Sequence, residues 1–508
     1  MLLQRVVETS ARVAQTPGRL AKIDLLVDLL QEAQPGEIEH VIAVLTGALR
    51  QSKIGVGHGL LQRIATTMPA TRSAVTLADV DAVFARIAGA SGKGSAKVEQ
   101  TALQDLFSRA TAAEQGFLFR LLMGEVRQGA LEGVMIEAVA RAASIEAARV
   151  RRATMMTGDL TVVAKAALAE GAAALDRFTI QLFRPIQPML AQTAPDVAQA
   201  LGQLGRAALE FKLDGARIQV HKSGSEVRVF SRLLNDVTTA LPEVVETARR
   251  LRPSTVILDG EAIALRADGT PLPFQTTMRR FGRKLEVDQL RTELPLRPFF
   301  FDVLYAGERA LIDEPYERRF EVLADIVGQS ERPARLVTAD VAEAQAFYDR
   351  AIAAGHEGVM AKALEATYEA GSRGSAWLKV KAVDTLDLVV LAAEWGHGRR
   401  KGKLSNLHLG ARDSQGGFVM LGKTFKGLTD ELLEWQTARL LELATKREGH
   451  IVRVRPELVV EIAFNGLQAS PQYSGGLALR FARVVRYRPD KTAIQADTIE
   501  TVRALYRP

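Results

Sequence analysis

The stretch Glu210-Phe211-Lys212-Leu213-Asp214-Gly215-Ala216-Arg217 decides how the rest of the chain is read. A lysine closes an apolar run, and an aspartate, a glycine and an arginine come soon after it. An isolated K-x-D-G arises by chance in many proteins, where it is a solvated strand end. A lysine becomes a nucleophile at neutral pH only when desolvation or neighbouring cations lower its pKa. Phe211 and Leu213 would supply the first, and cations further along the chain the second. The meaning of Lys212 therefore depends on the motifs C-terminal to it.

Working outward, Leu258-Asp259-Gly260-Glu261 ends an apolar run with a carboxylate. Glu357-Gly358-Val359-Met360-Ala361-Lys362 brings another carboxylate and a second lysine. In Ser372-Arg373-Gly374-Ser375-Ala376-Trp377-Leu378-Lys379-Val380-Lys381 cations alternate with apolar residues, so on a strand Lys379 and Lys381 face one side. Arg486-Tyr487-Arg488-Pro489-Asp490-Lys491 lies near the C-terminal end. Each fragment alone reads as a charged face or a strand end. All five in this order are improbable by chance.

The chain has 508 residues, about three domains at roughly 150 residues each. Apolar residues at 47% and charged residues at 25% are ordinary for globular domains with real cores. The absence of cysteine excludes disulfide frameworks, Cys-ligated zinc, iron–sulfur clusters and thiol nucleophiles. Lys+Arg number 66 against 59 Asp+Glu, net +7, which favours an anionic partner such as nucleic acid, although many basic proteins bind none. No run of about 18 apolar residues occurs, and MLLQRVVETSARVAQ lacks a signal-peptide apolar core. A soluble cytoplasmic protein without a membrane partner is expected.

Up to about residue 175 the pattern is helical: Ile23, Leu26, Val27 and Leu30, and again Ile38, Val41, Ile42 and Leu45, repeat at helical spacing. ASGKGSAKVEQ, residues 90–100, reads as a surface loop, and a tight turn is expected at Gly129 between two helices. Paired prolines in Phe183-Arg184-Pro185-Ile186-Gln187-Pro188 stop the helical texture. Beyond them Ile218-Gln219-Val220 and Val227-Arg228-Val229 flank Ser223-Gly224 as a hairpin. Thr255–Leu258 and Phe299–Tyr305 read as buried strands. After about Asp384 five strands, LDLVVLAAEW, LHLGAR, GFVMLGKTF, LVVEIAF and RFARVVRYRP, suggest a small barrel.

Two other signals are set aside. Gly417–Thr424 satisfies G-x-x-x-x-G-K-T, but its middle residues Phe, Val, Met and Leu form a strand, not a phosphate-cradling turn, and no helix comes directly after it. The seven histidines form no H-E-x-x-H, and His356-Glu357 alone is no metal motif.

The order K-x-D-G, D-G-E, F-D-x-L-Y, E-G-V-M-x-K, W-x-K-x-K, R-x-D-K resembles the covalent nucleotidyltransferases: DNA ligases, RNA ligases and mRNA capping enzymes. It is most similar to ATP-dependent DNA ligases, in particular the B-type enzymes of mycobacteria and related actinobacteria. The helical N-terminus, with LMGEVRQGALEGVM and RPIQPMLA, resembles their DNA-binding domain, which RNA ligases and capping enzymes lack. NAD-dependent ligases bring a Cys-rich zinc module, which a cysteine-free chain does not have. A catalytically decayed DNA-binding relative is the other alternative, against which intact Lys212, Glu261, Glu357 and Lys379 argue.

The resemblance implies a multidomain α+β fold: a helical DNA-binding domain (1–185), an α/β adenylation domain with antiparallel sheets (186–383), and an OB-fold barrel (384–508). It implies that Lys212 attacks the α-phosphorus of ATP, that Glu210 meets the adenine edge and that Phe301 stacks on its face. Arg217, Arg232 and Glu261 match ribose and phosphate positions, and Arg373, Lys379 and Lys381 match phosphate-binding cations. Glu261 and Glu357 are the candidate Mg²⁺ carboxylates, with Mn²⁺ a possible substitute, as hard cations use one or two carboxylates plus phosphates and water. Arg488, Asp490 and Lys491 match the motif that orients pyrophosphate. The partner implied is nicked double-stranded DNA, encircled by a monomer. Ala361 departs from the valine that many relatives carry, a packing change expected to be tolerated.

Overall fold

The computed structural model describes the chain except residues 48, 50, 52–53, 55, 91–93, 127–131, 282–286, 370–373, 382–383, 398–399 and 507–508. From Leu3–Gln15 to Leu160–Glu170 the described chain is a stack of α-helices, followed by a 3-10 segment Ala172–Arg177. Ile23, Leu26 and Leu30 are buried on the helix Arg19–Glu32, with Val27 half-buried, and Ile38, Val41, Ile42 and Leu45 are buried on Ile38–Thr46. Both apolar stripes join one helical core, as the 3.6-residue period requires. The expected loop at 90–100 is shorter than its composition suggests. Gly94 in the left-handed region (φ 105°) ends it, and Ser95–Arg109 is helix. The turn expected at Gly129 lies outside the described residues.

The middle of the chain builds two antiparallel sheets. Its strands are β1 (Gln192–Thr193), β2 (Ala207–Phe211), β3 (Ala216–Ser223), β4 (Glu226–Ser231), β5 (Thr255–Ala264), β6 (Leu296–Ala306), β7 (Arg309–Ala310), β8 (Arg335–Thr338), β9 (Gly358–Ala363) and β10 (Trp377–Lys381). One sheet has the order β1-β10-β9-β2-β8, antiparallel apart from the parallel pair β1–β10, and the other β4-β3-β5-β6-β7. The hairpin expected around Gly224 is β3–β4, closing at Ser223 and Glu226 with Gly224 at φ 59°. On the second sheet Ile218, Val220 and Leu258 pack with Val244, Val245 and Leu323 of two covering helices. On the first, Leu209, Val359 and Ala361 pack with Phe347 of the helix Val341–Ala353.

The C-terminal strands are β11 (Asp384–Trp395), β12 (Leu404–Arg412), β13 (Phe418–Thr424), β14 (Ala444–Glu448), β15 (Ile451–Val454), β16 (Val459–Phe464), β17 (Leu467–Ala469), β18 (Leu477–Leu479) and β19 (Arg483–Tyr487). The five expected strands are β11, β12, β13, β16 and β19, and Phe418–Thr424 of the G-x-x-x-x-G-K-T match is a strand. They do not close into the expected barrel. Seven form an open sheet, because long β11 bends at bulges and pairs with β12 on one edge and with both β15 and β16 on the other. No helix among the described residues is long and apolar enough to cross a membrane.

Candidate active site

The K-x-D-G stretch is the crossing between the two sheets: β2 of one ends at Phe211 and β3 of the other begins at Ala216. Only glycine fits at 215. A Cβ there would stand 2.2 Å from Ile263 Cγ2 and 2.5 Å from the Ala262 carbonyl oxygen, so the chain turns directly against β5.

Lys212 leaves the end of β2 tied to the start of β9. Its N–H donates to the Gly358 oxygen (2.9 Å), and the Glu357 N–H donates back to the Lys212 oxygen (3.2 Å). Lys212 Nζ forms an ion pair with Glu357 Oε2 at 2.5 Å, and Lys381 Nζ donates to Glu357 Oε1 at 2.9 Å. Among the cations further along the chain, Lys381 is the one that shares this carboxylate with Lys212. Burial alone would raise the Glu357 carboxyl, but the two ammonium groups outweigh it and hold it below the usual range. Glu210, Met360 and Lys379 face each other across β2, β9 and β10, so Lys379 and Lys381 share a face with Glu210.

The second sheet supplies the opposing wall. Arg217 and Glu261 are cross-strand neighbours on β3 and β5. Burial pushes Glu261 up to about 7, against the pull of Lys212 and Arg217. Arg217, expected at ribose and phosphate, is already engaged: it grips Asp259 with two hydrogen bonds (3.0 and 2.6 Å), donates to the Met189 oxygen (2.7 Å) and lies over the Phe301 ring at 5.5 Å. Tyr368 completes this cluster by donating to Asp259 (2.7 Å). Asp259 and Tyr368 are residues that sequence reading missed. Asp259 had a signal, two residues before Glu261 on the same strand face; Tyr368 had none.

Glu210 is buried, paired with Lys362 at 2.7 Å and accepting from Tyr316. The Lys362 ammonium lies 4.6–4.9 Å from the centres of the Phe301, Tyr316 and Trp377 rings. Glu210 and Phe301 therefore both border the Lys362 ammonium. Arg232 is exposed in the turn after β4, and Arg373 lies outside the described residues.

The C-terminal trio does not join this cluster. Arg488 pairs with Asp387 (2.9 Å) and Asp490 (2.7 Å), and Lys491 with Asp387 (2.5 Å), all within the C-terminal sheet region. Asp490 is held down at about 2, chiefly by its hydrogen bonds from Arg488. Arg480, which sequence reading did not single out, reaches Asp214 instead (3.1 Å), two residues from Lys212. Burial raises the Asp214 carboxyl, and Glu357 adds to it.

Around Lys212 the carboxylates of Asp214, Glu261 and Glu357 are close enough to shift one another or to respond to its charge. Among the described residues no three His, Asp or Glu side chains form a metal cluster by themselves. Buried carboxylate oxygens without such a cage suit a hard cation that completes its shell with phosphate and water. Asp214, Glu261 and Glu357 are oxygen donors of the kind a hard divalent cation such as Mg²⁺ takes.

Residues 188–381 match the family described as ATP dependent DNA ligase domain, 400–491 its C terminal region, and 62–140 the DNA ligase N terminus. The chain is 58% identical over its whole length to a probable DNA ligase of Anaeromyxobacter sp. (strain Fw109-5), covering 98% of that protein. It is 54% identical to a probable DNA ligase of Mycobacterium sp. (strain KMS), over 100% of this chain and 99% of that one. A solved structure described as Pmar-Lig_PreS3 shares the fold at TM-score 0.63 and 18% identity, over 95% of this chain and 99% of that chain. With its K-x-D-G motif at a two-sheet crossing and its relatives matched over almost their whole length, the chain belongs to the ATP-dependent DNA ligases.

Proposed function

We propose that Lys212 is the nucleophile of a three-step nick-sealing reaction, and the observation that carries this is its placement at the sheet crossing against Glu357 and Lys381. In the first step the Lys212 amine, having given up a proton, attacks the α-phosphorus of ATP. A P–N bond forms, the bond to the β-phosphate oxygen breaks, and pyrophosphate leaves. The AMP then passes to the 5′-phosphate of a nick, and the 3′-OH displaces it to close the strand.

Each wall has a task. Glu210 and Phe301 receive the adenine, one at its edge and one at its face. Lys379 and Lys381, with Arg373 and Arg232, neutralise phosphate charge, since nucleotidyl transfer depends on positioning and charge compensation. Arg217 acts by holding Asp259 and Phe301 in place beside the ribose. Glu261 and Glu357 would hold Mg²⁺, which when bound withdraws charge from the phosphate oxygens. Arg488, Asp490 and Lys491 orient pyrophosphate after the C-terminal region turns.

We assign residues 1–185 to DNA binding, 186–383 to adenylation and 384–508 to the C-terminal region, acting as a monomer around nicked duplex in the cytoplasm, in repair, replication or recombination. An RNA ligase or capping role is disfavoured by the match to the DNA ligase N terminus at 62–140. The test is mass spectrometry after incubation with ATP and Mg²⁺. An AMP adduct on Lys212 is expected, absent in Lys212→Ala and in Lys212→Arg, whose guanidinium stays protonated. An adduct surviving in either variant would sink the assignment.

A further inference from the structure

Three consecutive same-face residues of β3 bind three points of the segment that joins the helical region to the sheets. His221 Nδ1 accepts from the Phe183 N–H (3.0 Å). Gln219 Oε1 accepts from the Ile186 N–H (2.7 Å), and its Nε2 donates to the Ile186 oxygen (3.0 Å). Arg217 donates to the Met189 oxygen (2.7 Å). Side chains two apart on a strand point the same way, so 217, 219 and 221 form one row. The connecting segment runs antiparallel along it.

The row is internally determined. Because Nδ1 of His221 accepts a hydrogen bond, its proton sits on Nε2, which donates to Gln219 Oε1 (2.9 Å). The two bonds to Ile186 likewise leave one orientation for the Gln219 amide. His221 and Gln219 are buried, and burial drives the imidazole down to about 3, so it stays neutral. The hydrogen bonds of both side chains go to the connecting segment and to each other, although Gln219 is the cross-strand neighbour of Asp259.

The strap is anchored on the helical side too. Phe183 (φ 65°) carries the guanidinium of Arg228, on β4, 4.9 Å over its ring, while on the helical side Arg184 Nε donates to the Thr157 oxygen (3.2 Å). The Gln187 N–H donates to the Met155 oxygen (3.2 Å). Met155 and Met156 of the helix Ala147–Thr157 pack with Ile257, Leu304 and Trp377 of the sheets and with Ile312 in the turn after β7. Arg152 grips Asp313 with both terminal nitrogens, one at 2.6 Å.

We infer that Gln219 and His221 are positioning residues for AMP transfer to DNA: they lock the helical region onto the adenylation sheets, so that a gripped duplex meets the Lys212 site in one register. The inference rests on the proposed reading that the helical region holds DNA. Its chemistry is preorganisation, in which a rigid joint removes the orientational search that would otherwise slow the transfer. Arg217 ends the strap at the nucleotide wall, coupling the two directly.

The test uses the full chain with Gln219→Leu, His221→Leu, His221→Asn and Arg228→Ala. Four quantities are measured: adduct formation with ATP and Mg²⁺, affinity for a nicked duplex, the single-turnover rate of AMP transfer from pre-adenylated protein, and Tm. Gln219→Leu and His221→Leu should form the adduct at the wild-type rate and bind nicked duplex within about twofold, while transfer slows about tenfold or more. His221→Asn, whose side-chain oxygen can accept from Phe183, should recover most of that rate. Arg228 is exposed, and Arg228→Ala leaves the buried row intact, so this variant should fold even if the others do not; it should slow transfer by a smaller factor of the same kind. Unchanged transfer in all variants overturns the inference, as does equal loss of adduct formation and transfer, which would make the row a support of the sheet alone. Loss of the DNA-gripping reading looks different: removal of the helical region would then leave nick affinity unchanged.

Discussion

Lys212 and Glu357 are joined twice, by a backbone hydrogen bond of 3.2 Å from the Glu357 N–H and by a side-chain ion pair of 2.5 Å. Lys212 is therefore positioned by the same residue that Lys381 also holds.

Removing that carboxylate should be costly for chemistry more than for folding. Glu357→Gln keeps the shape but loses the charge between two ammonium groups, and we expect adduct formation to fall by roughly 10²-fold or more. Glu261→Gln should fall similarly, and EDTA should stop every step. Full-rate adduct formation by either variant, read by mass spectrometry over time, would place the cation elsewhere.

The helical region should contribute DNA affinity and not nucleotide chemistry. A chain beginning at Pro185 should still acquire AMP but seal nicks poorly. For the full chain, nick binding should weaken steeply with salt, because phosphate contacts release counterions. Sealing at the full-length rate by the shortened chain would remove the helical region from the reaction.

Arg488 and Lys491 are held by Asp387, while Arg480 meets Asp214, two residues from Lys212. For the first pair to reach pyrophosphate, the C-terminal region must turn and release the Arg480 contact, a motion of the μs–ms kind. The linker expected to bend, Ala382-Val383-Asp384, lies largely outside the described residues. Arg488→Ala and Lys491→Ala should slow enzyme adenylation at least tenfold. Sealing of a nick that already carries 5′-AMP releases no pyrophosphate and should suffer much less. Equal losses in the two assays would indicate a weakened sheet.

Glu394 gives a pH-dependent expectation remote from the site. Burial alone would raise its carboxyl, but hydrogen bonds from Lys423 (2.5 Å), His408 (2.9 Å) and Asn406 (2.7 Å) hold it down at about 2. A folded-state pKa below the unfolded value of about 4.5 contributes stability that is present above 4.5 and lost as pH falls toward 2. Glu394→Gln should thus lower Tm near pH 6, and its deficit against wild type should shrink between pH 4.5 and 2. A deficit that stays constant across that window would show that the charge is not what matters.

Order and residue type along the chain determined much of this protein. Helical stripes such as Ile38, Val41, Ile42 and Leu45, the hairpin at Gly224 and the buried runs of β5 and β6 are local patterns of apolar period and turn chemistry. So is the spacing of the motifs, which singled out Lys212, Glu261 and Glu357 as candidates from their neighbours in sequence. What escaped was short-period or non-local. β14, Ala-Thr-Lys-Arg-Glu, buries no side chain fully and so shows no alternation to read. The helix Asp430–Glu442 was hidden between strands that were easier to see. The open course of the C-terminal sheet depends on which strands β11 pairs with at each of its ends, and pairing is a contact between distant residues. The partners of the functional side chains were decided the same way. That Arg217 binds Asp259 and Met189, that Arg480 and not Arg488 meets Asp214, and that Gln219 and His221 hold the connecting segment all depend on packing that joins residues far apart in the chain. Sequence carries the chemistry of each group; the fold alone sets which partner satisfies it.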